Sequence, residues 1–96
     1  MTFQDLIFSK SDTPKGVFAR VDFDNGFGAS IISNDASYGG NSGLYEIAVL
    51  RGDDITSTTD ITDDVVGWLD DKDVTRTLNA ISKLDKDGNL PKGVLL

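Results

Sequence analysis

The chain has 96 residues, a hydrophobic fraction of 39%, eight aromatics and a formal net charge of −7. A chain of this length forms one small domain with a limited core, so a single domain spanning 1–96 is expected. The charge argues against bare nucleic acid and anionic membranes as direct partners, since both are bound through clustered Lys and Arg. The chain has neither Cys nor His, which removes disulfides, Cys/His zinc sites, histidine bases and cysteine nucleophiles.

The N-terminus, MTFQDLIFSK, lacks a basic segment followed by a long apolar run, so no signal peptide is expected. No apolar stretch is long enough to span a bilayer, and the expectation is a soluble protein. Leu6, Ile7 and Phe8 read as a first short strand, followed by a turn around Asp12 to Gly16. In GVFARVDF, Val17, Ala19, Val21 and Phe23 share one face, and Phe18, Arg20 and Asp22 share the other. Asp24-Asn25-Gly26 then predicts a hairpin, with Asn-Gly supplying the positive φ angles of a type I′ turn. FGASIIS returns as the partner strand, placing Phe27, Ala29 and Ile31 on one face.

The stretch SYGGNSG, Ser37 to Gly43, reads as a flexible connection. LYEIAVL, Leu44 to Leu50, is apolar on both faces and reads as a central strand. Gly52-Asp53-Asp54 is a turn, and ITSTT (55–59) a weakly patterned edge strand. Thr62-Asp63-Asp64 resembles a helix start, with Val65, Val66, Trp68 and Leu69 as the apolar side of a turn or two limited by Gly67. Asp70 restarts the pattern, with Asp73 three residues on as a capping-box analogue. Val74, Leu78, Ile81 and Leu84 recur at helical spacing, Lys83 and Lys86 follow near the C-terminal end, and Gly88 reads as the stop. The tail NLPKGVLL either docks or frays. The fold expected is α+β: an antiparallel β-meander of about four strands, then one short and one longer C-terminal helix packed on one face.

The motifs that carry chemistry fail on context. The glycines of 39–43 lead into a strand rather than a helix, which rules out a Walker A or dinucleotide loop. Ser42 has no histidine to act as base and no S-x-x-K lysine. DKDVT, Asp71 to Thr75, matches the D-x-D-x-[TV] pattern of haloacid-dehalogenase-type phosphatases, but only about twenty residues follow it, so first-turn helix acids are the better reading. LDKDGN places Lys83 and Val94 where an EF-hand needs acids. Asp22 and Asp24 lack a third ligand. No catalytic residue, metal site or cofactor is therefore expected, and the chain is read as a non-enzyme.

The acids are fifteen Asp and one Glu, Glu46. Asp favours caps and turns, so the charge reads either as solvation or as an acidic face for a basic partner. Trp68 and its apolar neighbours read as core. The alternative is that part of this cluster, or Phe18 and Tyr38, forms an exposed anchor for a partner. The candidate partner contacts are Tyr38, Asp53, Asp54, Asp63, Asp64, Asp70, Asp71 and Asp73.

The order NGFGASIISNDASYGGNSGLYEIAVL, then ITDDVVGWLDDKDV, resembles small accessory proteins encoded by tailed bacteriophages. Those carry N-G-[FY]-G-x-S, S-Y-G-G-x-x-G-L-[FY]-E-x-A-V-L and T-x-D-V-[IV]-G-[YW]-L patterns, and the likeness runs roughly from Asp24 to Leu84. The resemblance implies a phage-encoded protein of the bacterial host cytoplasm and brings no activity or catalytic residues. Three readings of function follow: binding to a host or phage protein; an acidic nucleic-acid mimic that inhibits a host defence or transcription protein; and a homo-oligomeric structural protein assembling through sheet edges.

Overall fold

The computed structural model describes residues 1–94. A 3₁₀ turn, Phe3–Asp5, leads into six strands and one helix: β1 Ser9–Asp12, β2 Lys15–Asp22, β3 Phe27–Asn34, β4 Tyr45–Arg51, β5 Asp54–Ile55, β6 Val66–Leu69 and α1 Asp71–Ser82. All pairings are antiparallel, in the order β1-β2-β3-β4-β5. The second edge of β4 is shared: β5 pairs with Leu50 and Arg51, and β6 with Tyr45 and Ile47. The protein is thus α+β, with α1 packed on one face of the sheet.

The alternation read from the sequence sets which face α1 covers. Val21, Phe27, Ala29, Ile31, Ile47 and Val49 meet Val74, Leu78, Ile81 and Leu84 in one core. Asp70 caps the helix: its Oδ1 accepts the Asp73 N–H (2.8 Å), and Asp73 Oδ2 accepts the Asp70 N–H (3.2 Å). Phe3, Phe8 and Tyr45 close one end of the core as an aromatic trio with centroids 5.1–5.7 Å apart.

Five local expectations change, one of them at the edge strand expected over 55–59, which shrinks to Asp54–Ile55. The first strand is Ser9–Asp12, displaced from Leu6–Phe8. Leu6 and Phe8 instead pack on the core, and polar SKSD suits a solvent-exposed edge. The Asn25-Gly26 turn is a three-residue loop closed by the Phe23 N–H on the Phe27 carbonyl (2.8 Å), with Gly26 alone left-handed (φ 86°). This is a type I turn followed by a left-handed residue, rather than type I′. Asn25 has a longer reach: its Nδ2 donates to the carbonyls of Ile81 (2.9 Å) and Leu84 (3.1 Å), capping the C-terminal end of α1.

The short helix expected at Val65–Leu69 is strand β6. Val65, Val66 and Gly67 are poor helix formers, and the upper half of the β4 edge offers unpaired backbone groups. Pairing there places Val66 and Leu69 on the core while filling those hydrogen bonds. Finally, α1 ends at Ser82, and Gly88 (φ 83°) belongs to a later turn. Asp85 Oδ1 organises that turn by accepting the N–H groups of Asp87 (2.9 Å) and Asn89 (3.0 Å). Of the tail, Leu90 packs on the core; Leu95 and Leu96 lie outside the described residues. Among the described residues no helix is long and apolar enough to cross a membrane.

Candidate functional site

Alternation leaves the other sheet face without a helix. Across it, Phe18 of β2 stands beside Ile32 of β3, which stands beside Glu46 of β4; one row on are Arg20, Ser30 and Ala48. The two rows differ in character. Arg20 reaches over β3 and β4 to the Gly52 carbonyl (3.0 Å) and Asp53 Oδ1 (2.9 Å), and it also pairs with Asp22 Oδ1 (3.1 Å). Those hydrogen bonds, Asp53 foremost, raise the already high Arg20 pKa. That half of the face is closed by its own ion pairs.

The other half is aromatic and open. Glu46 Oε1 accepts the Tyr38 N–H (3.1 Å), and the Tyr38 carbonyl accepts the Trp68 N–H (3.3 Å). Tyr38-Gly39 and Gly67-Trp68 therefore run alongside one another, each aromatic lying against the other segment's glycine. A Cβ on Gly67 would stand 2.5 Å from the Tyr38 Cβ, and one on Gly39 would stand 3.0 Å from Trp68 Cα and 3.2 Å from Trp68 Cε3. Substituting either glycine would push an aromatic off its seat. Locked this way, Tyr38 and Trp68 remain 57% and 61% exposed, and Phe18 on β2 is 47% exposed. The reading of Trp68 as core is corrected: Leu69 and Val66 enter the core, and Trp68 points away from it.

Trp68 is held there against its backbone preference. Its φ of 59° makes it the only non-glycine residue at positive φ among the described residues. The position is a bulge, since three residues of β4 (Tyr45 to Ile47) face four of β6 (Leu69 to Val66). Glycine is the usual occupant of a left-handed bulge position, and a bulky residue costs about 1–2 kcal/mol there. Trp68→Gly should accordingly be more stable than Trp68→Ala by about 1 kcal/mol in urea denaturation followed by circular dichroism, the reverse of the usual order in strands. Equal stability, or a more stable alanine variant, would remove the strain.

The candidate acids are dispersed. Asp70, Asp71 and Asp73 sit at the N-terminal end of α1. Asp53 and Asp54 lie beside the β2–β3 turn, where the Gly52 N–H meets the Gly26 carbonyl and Asn25 caps the other end of α1. The two groups are thus separated by the helix length, about 18 Å. Asp63 and Asp64 are exposed in the turn before β6, where Thr62 Oγ1 accepts the Asp64 N–H (3.1 Å). Several are already engaged: Asp53 with Arg20, Asp70 in the cap, and Asp73 with the Asp70 N–H and the Arg76 guanidinium, which hold its carboxyl below the ordinary range. Among the described residues no three carboxylates are placed to hold a metal ion. Of the eight candidate partner contacts, Tyr38 alone belongs to the aromatic patch.

The glycine stretch is a bonded turn. Gly40–Ser42 forms a 3₁₀ turn between left-handed Gly39 and Gly43, and the Gly39 carbonyl accepts the N–H groups of Ser42 (2.9 Å) and Leu44 (3.0 Å). The N–H groups of Gly40, Ser42, Gly43 and Leu44 are each bonded within the stretch, leaving no array of N–H donors for a phosphate. Sought among known protein families, curated proteins and solved structures, the chain has no match.

Proposed function

We propose that this is a non-catalytic, phage-encoded accessory protein that acts in the bacterial host cytoplasm by binding another protein through the open half of its sheet. The observation that carries this reading is Trp68: an exposed indole in a strained backbone conformation, locked beside an exposed tyrosine. Strain of this kind persists where the surrounding structure over-determines it, and it concentrates at binding sites. Exposed Trp and Tyr are also the side chains that dominate binding hot spots. The phage origin rests on the sequence resemblance, whose Tyr-Gly and Gly-[YW] elements are the two segments that interlock here. A nucleic-acid mimic would need its carboxylates on one surface, and the separation of Asp53 and Asp54 from Asp70, Asp71 and Asp73 speaks against that use.

The test is affinity capture from bacterial lysate with the tagged protein and with a Tyr38→Ser/Trp68→Ser variant, both checked for native circular dichroism. A protein retained by the wild type and lost with the variant is the expected result. Identical captured sets would overturn the reading.

A further inference from the structure

The charges are unevenly divided between the two sides of the sheet. Of the nine cationic side chains, Lys10 and Lys15 sit at strand positions in phase with Val17 and thus on the helix side of the sheet. Arg51 lies over the Phe27 ring in the core (4.5 Å). Lys72, Arg76, Lys83 and Lys86 are on α1 or just after it, and Lys92 follows core-packed Leu90. Among the described residues Arg20 is the one cation at a strand position of the uncovered face, and it is held by two carboxylates, Asp22 and Asp53. Glu46 has no Lys or Arg within ion-pair distance among the described residues.

Glu46 is also the chain's single Glu; on central strand β4 it stands beside Ile32, with Phe18 one strand further, and it accepts the N–H of Tyr38, whose segment packs against Gly67-Trp68. One of its oxygens is engaged by the Tyr38 N–H. That bond ties the carboxylate to the Tyr38 backbone and leaves Oε2 without a hydrogen-bond partner among the described residues. Aromatic faces attract cations electrostatically, and a neighbouring carboxylate adds to the pull. Guanidinium suits such a place better than ammonium: its plane stacks on a ring while its fork of N–H groups reaches a carboxylate.

We infer that the open half of the sheet receives an arginine side chain from an extended basic segment of a partner protein, the guanidinium meeting the Glu46 carboxylate with Tyr38, Trp68 and Phe18 around it. This rests on the binding role proposed above and specifies the partner's chemistry. It differs from general attraction to a chain of charge −7, because it assigns the effect to one carboxylate and not to the many Asp.

Trp68 is the chain's one tryptophan, so its fluorescence reports on the patch directly. The experiment is a titration of the whole protein at physiological salt, where dispersed charges are screened, with an acetylated Gly-Arg-Gly-Arg-Gly peptide and its Gly-Gln-Gly-Gln-Gly counterpart. The wild type should give a saturable change in Trp68 emission with the arginine peptide and none with the glutamine peptide. Glu46→Gln keeps an acceptor for the Tyr38 N–H and so keeps the fold, yet it should weaken arginine-peptide binding about fivefold. Asp63→Asn/Asp64→Asn removes two charges elsewhere and should leave binding within twofold of wild type.

Equal weakening by the two variants would overturn the inference in favour of bulk charge. So would equal binding of the glutamine peptide, or no emission change while lysate capture still depends on Tyr38 and Trp68; in both cases the broader binding role survives. Concentration-dependent sedimentation abolished by Trp68→Ser would assign the face to a second copy and overturn it as well.

Discussion

Leu78→Ala should lower folding stability by about 3 kcal/mol and the midpoint of thermal unfolding by roughly 15 °C. Leu78 is wholly buried in the middle turn of α1, in one cluster with Phe27, Ile31, Ile47, Val49, Val74 and Ile81. The sheet has a helix on one face only, so this single layer of contacts is the main apolar core. Removing Leu78 would leave a void between α1 and two strands that are themselves fixed by pairing on both sides, which restricts collapse into it. For a domain this small, a loss of that size is a large part of the total. Ile55→Ala supplies the contrast: Ile55 is 67% exposed on a two-residue strand and should change stability by less than about 0.5 kcal/mol. Urea denaturation of both variants makes the comparison, and a Leu78→Ala loss under about 1 kcal/mol would contradict this account of the core.

The elements that were legible in the sequence are those whose burial pattern repeats. Ala19, Val21 and Phe23 alternate because that side of β2 and of the turn after it is covered, and Val74, Leu78 and Ile81 recur at helical spacing for the same reason. The capping pair Asp70 and Asp73 was legible because it is local. Elements that depend on a distant partner were not. Residues 66–69 carry too short an apolar run to fix a period, and the deciding influence is the vacant edge of β4, about twenty residues earlier in the chain. SKSD is polar because it is an edge, so hydrophobicity gave no sign of it. Asn25 was located correctly as a turn residue, but its bonds to Ile81 and Leu84 connect it to a helix more than fifty residues away.

The candidate site was half legible for the same reason. Tyr38 stood out as an aromatic in a polar loop. Trp68 was drawn into the core reading by its apolar neighbours, though each of its flanks gave a hint. Gly67 precedes it and Gly39 follows Tyr38, and two aromatics paired with two glycines in separate segments is a pattern that close mutual packing explains. Glu46 was passed over because one acid on an apolar strand looks like an exposed-face residue; its surroundings appear only once β3, β4 and the 37–43 loop are brought together.

That loop carries the second large effect. Its three glycines serve different physical needs, so alanine should rank them. At Gly40 a Cβ would run into the Asn34 carbonyl oxygen and come within 2.6 Å of Ser37 Oγ. These atoms are fixed by one another: the Asn34 carbonyl accepts the Ser37 N–H (3.2 Å) and its hydroxyl (3.1 Å), and Ser37 Oγ accepts the Asn34 N–H (2.9 Å). Backbone cannot swing aside as a side-chain tip can, so Gly40→Ala should cost about 2–3 kcal/mol by opening the turn that seats Tyr38. Gly39→Ala combines a left-handed φ of 86° with contacts 3.0 Å from Trp68 Cα and Leu44 Cβ, and should follow at about 2 kcal/mol. Gly43 is also left-handed, at φ 75°, but nothing lies within 4 Å of its Cβ direction. Gly43→Ala should therefore cost only about 1 kcal/mol, and Gly43→Asn less, because Asn tolerates that conformation. Urea denaturation of the four variants checks the order. A loop that were mere slack between β3 and β4 would take alanine at all three positions with equal ease, whereas a turn built around a close backbone approach must reject it most strongly at Gly40.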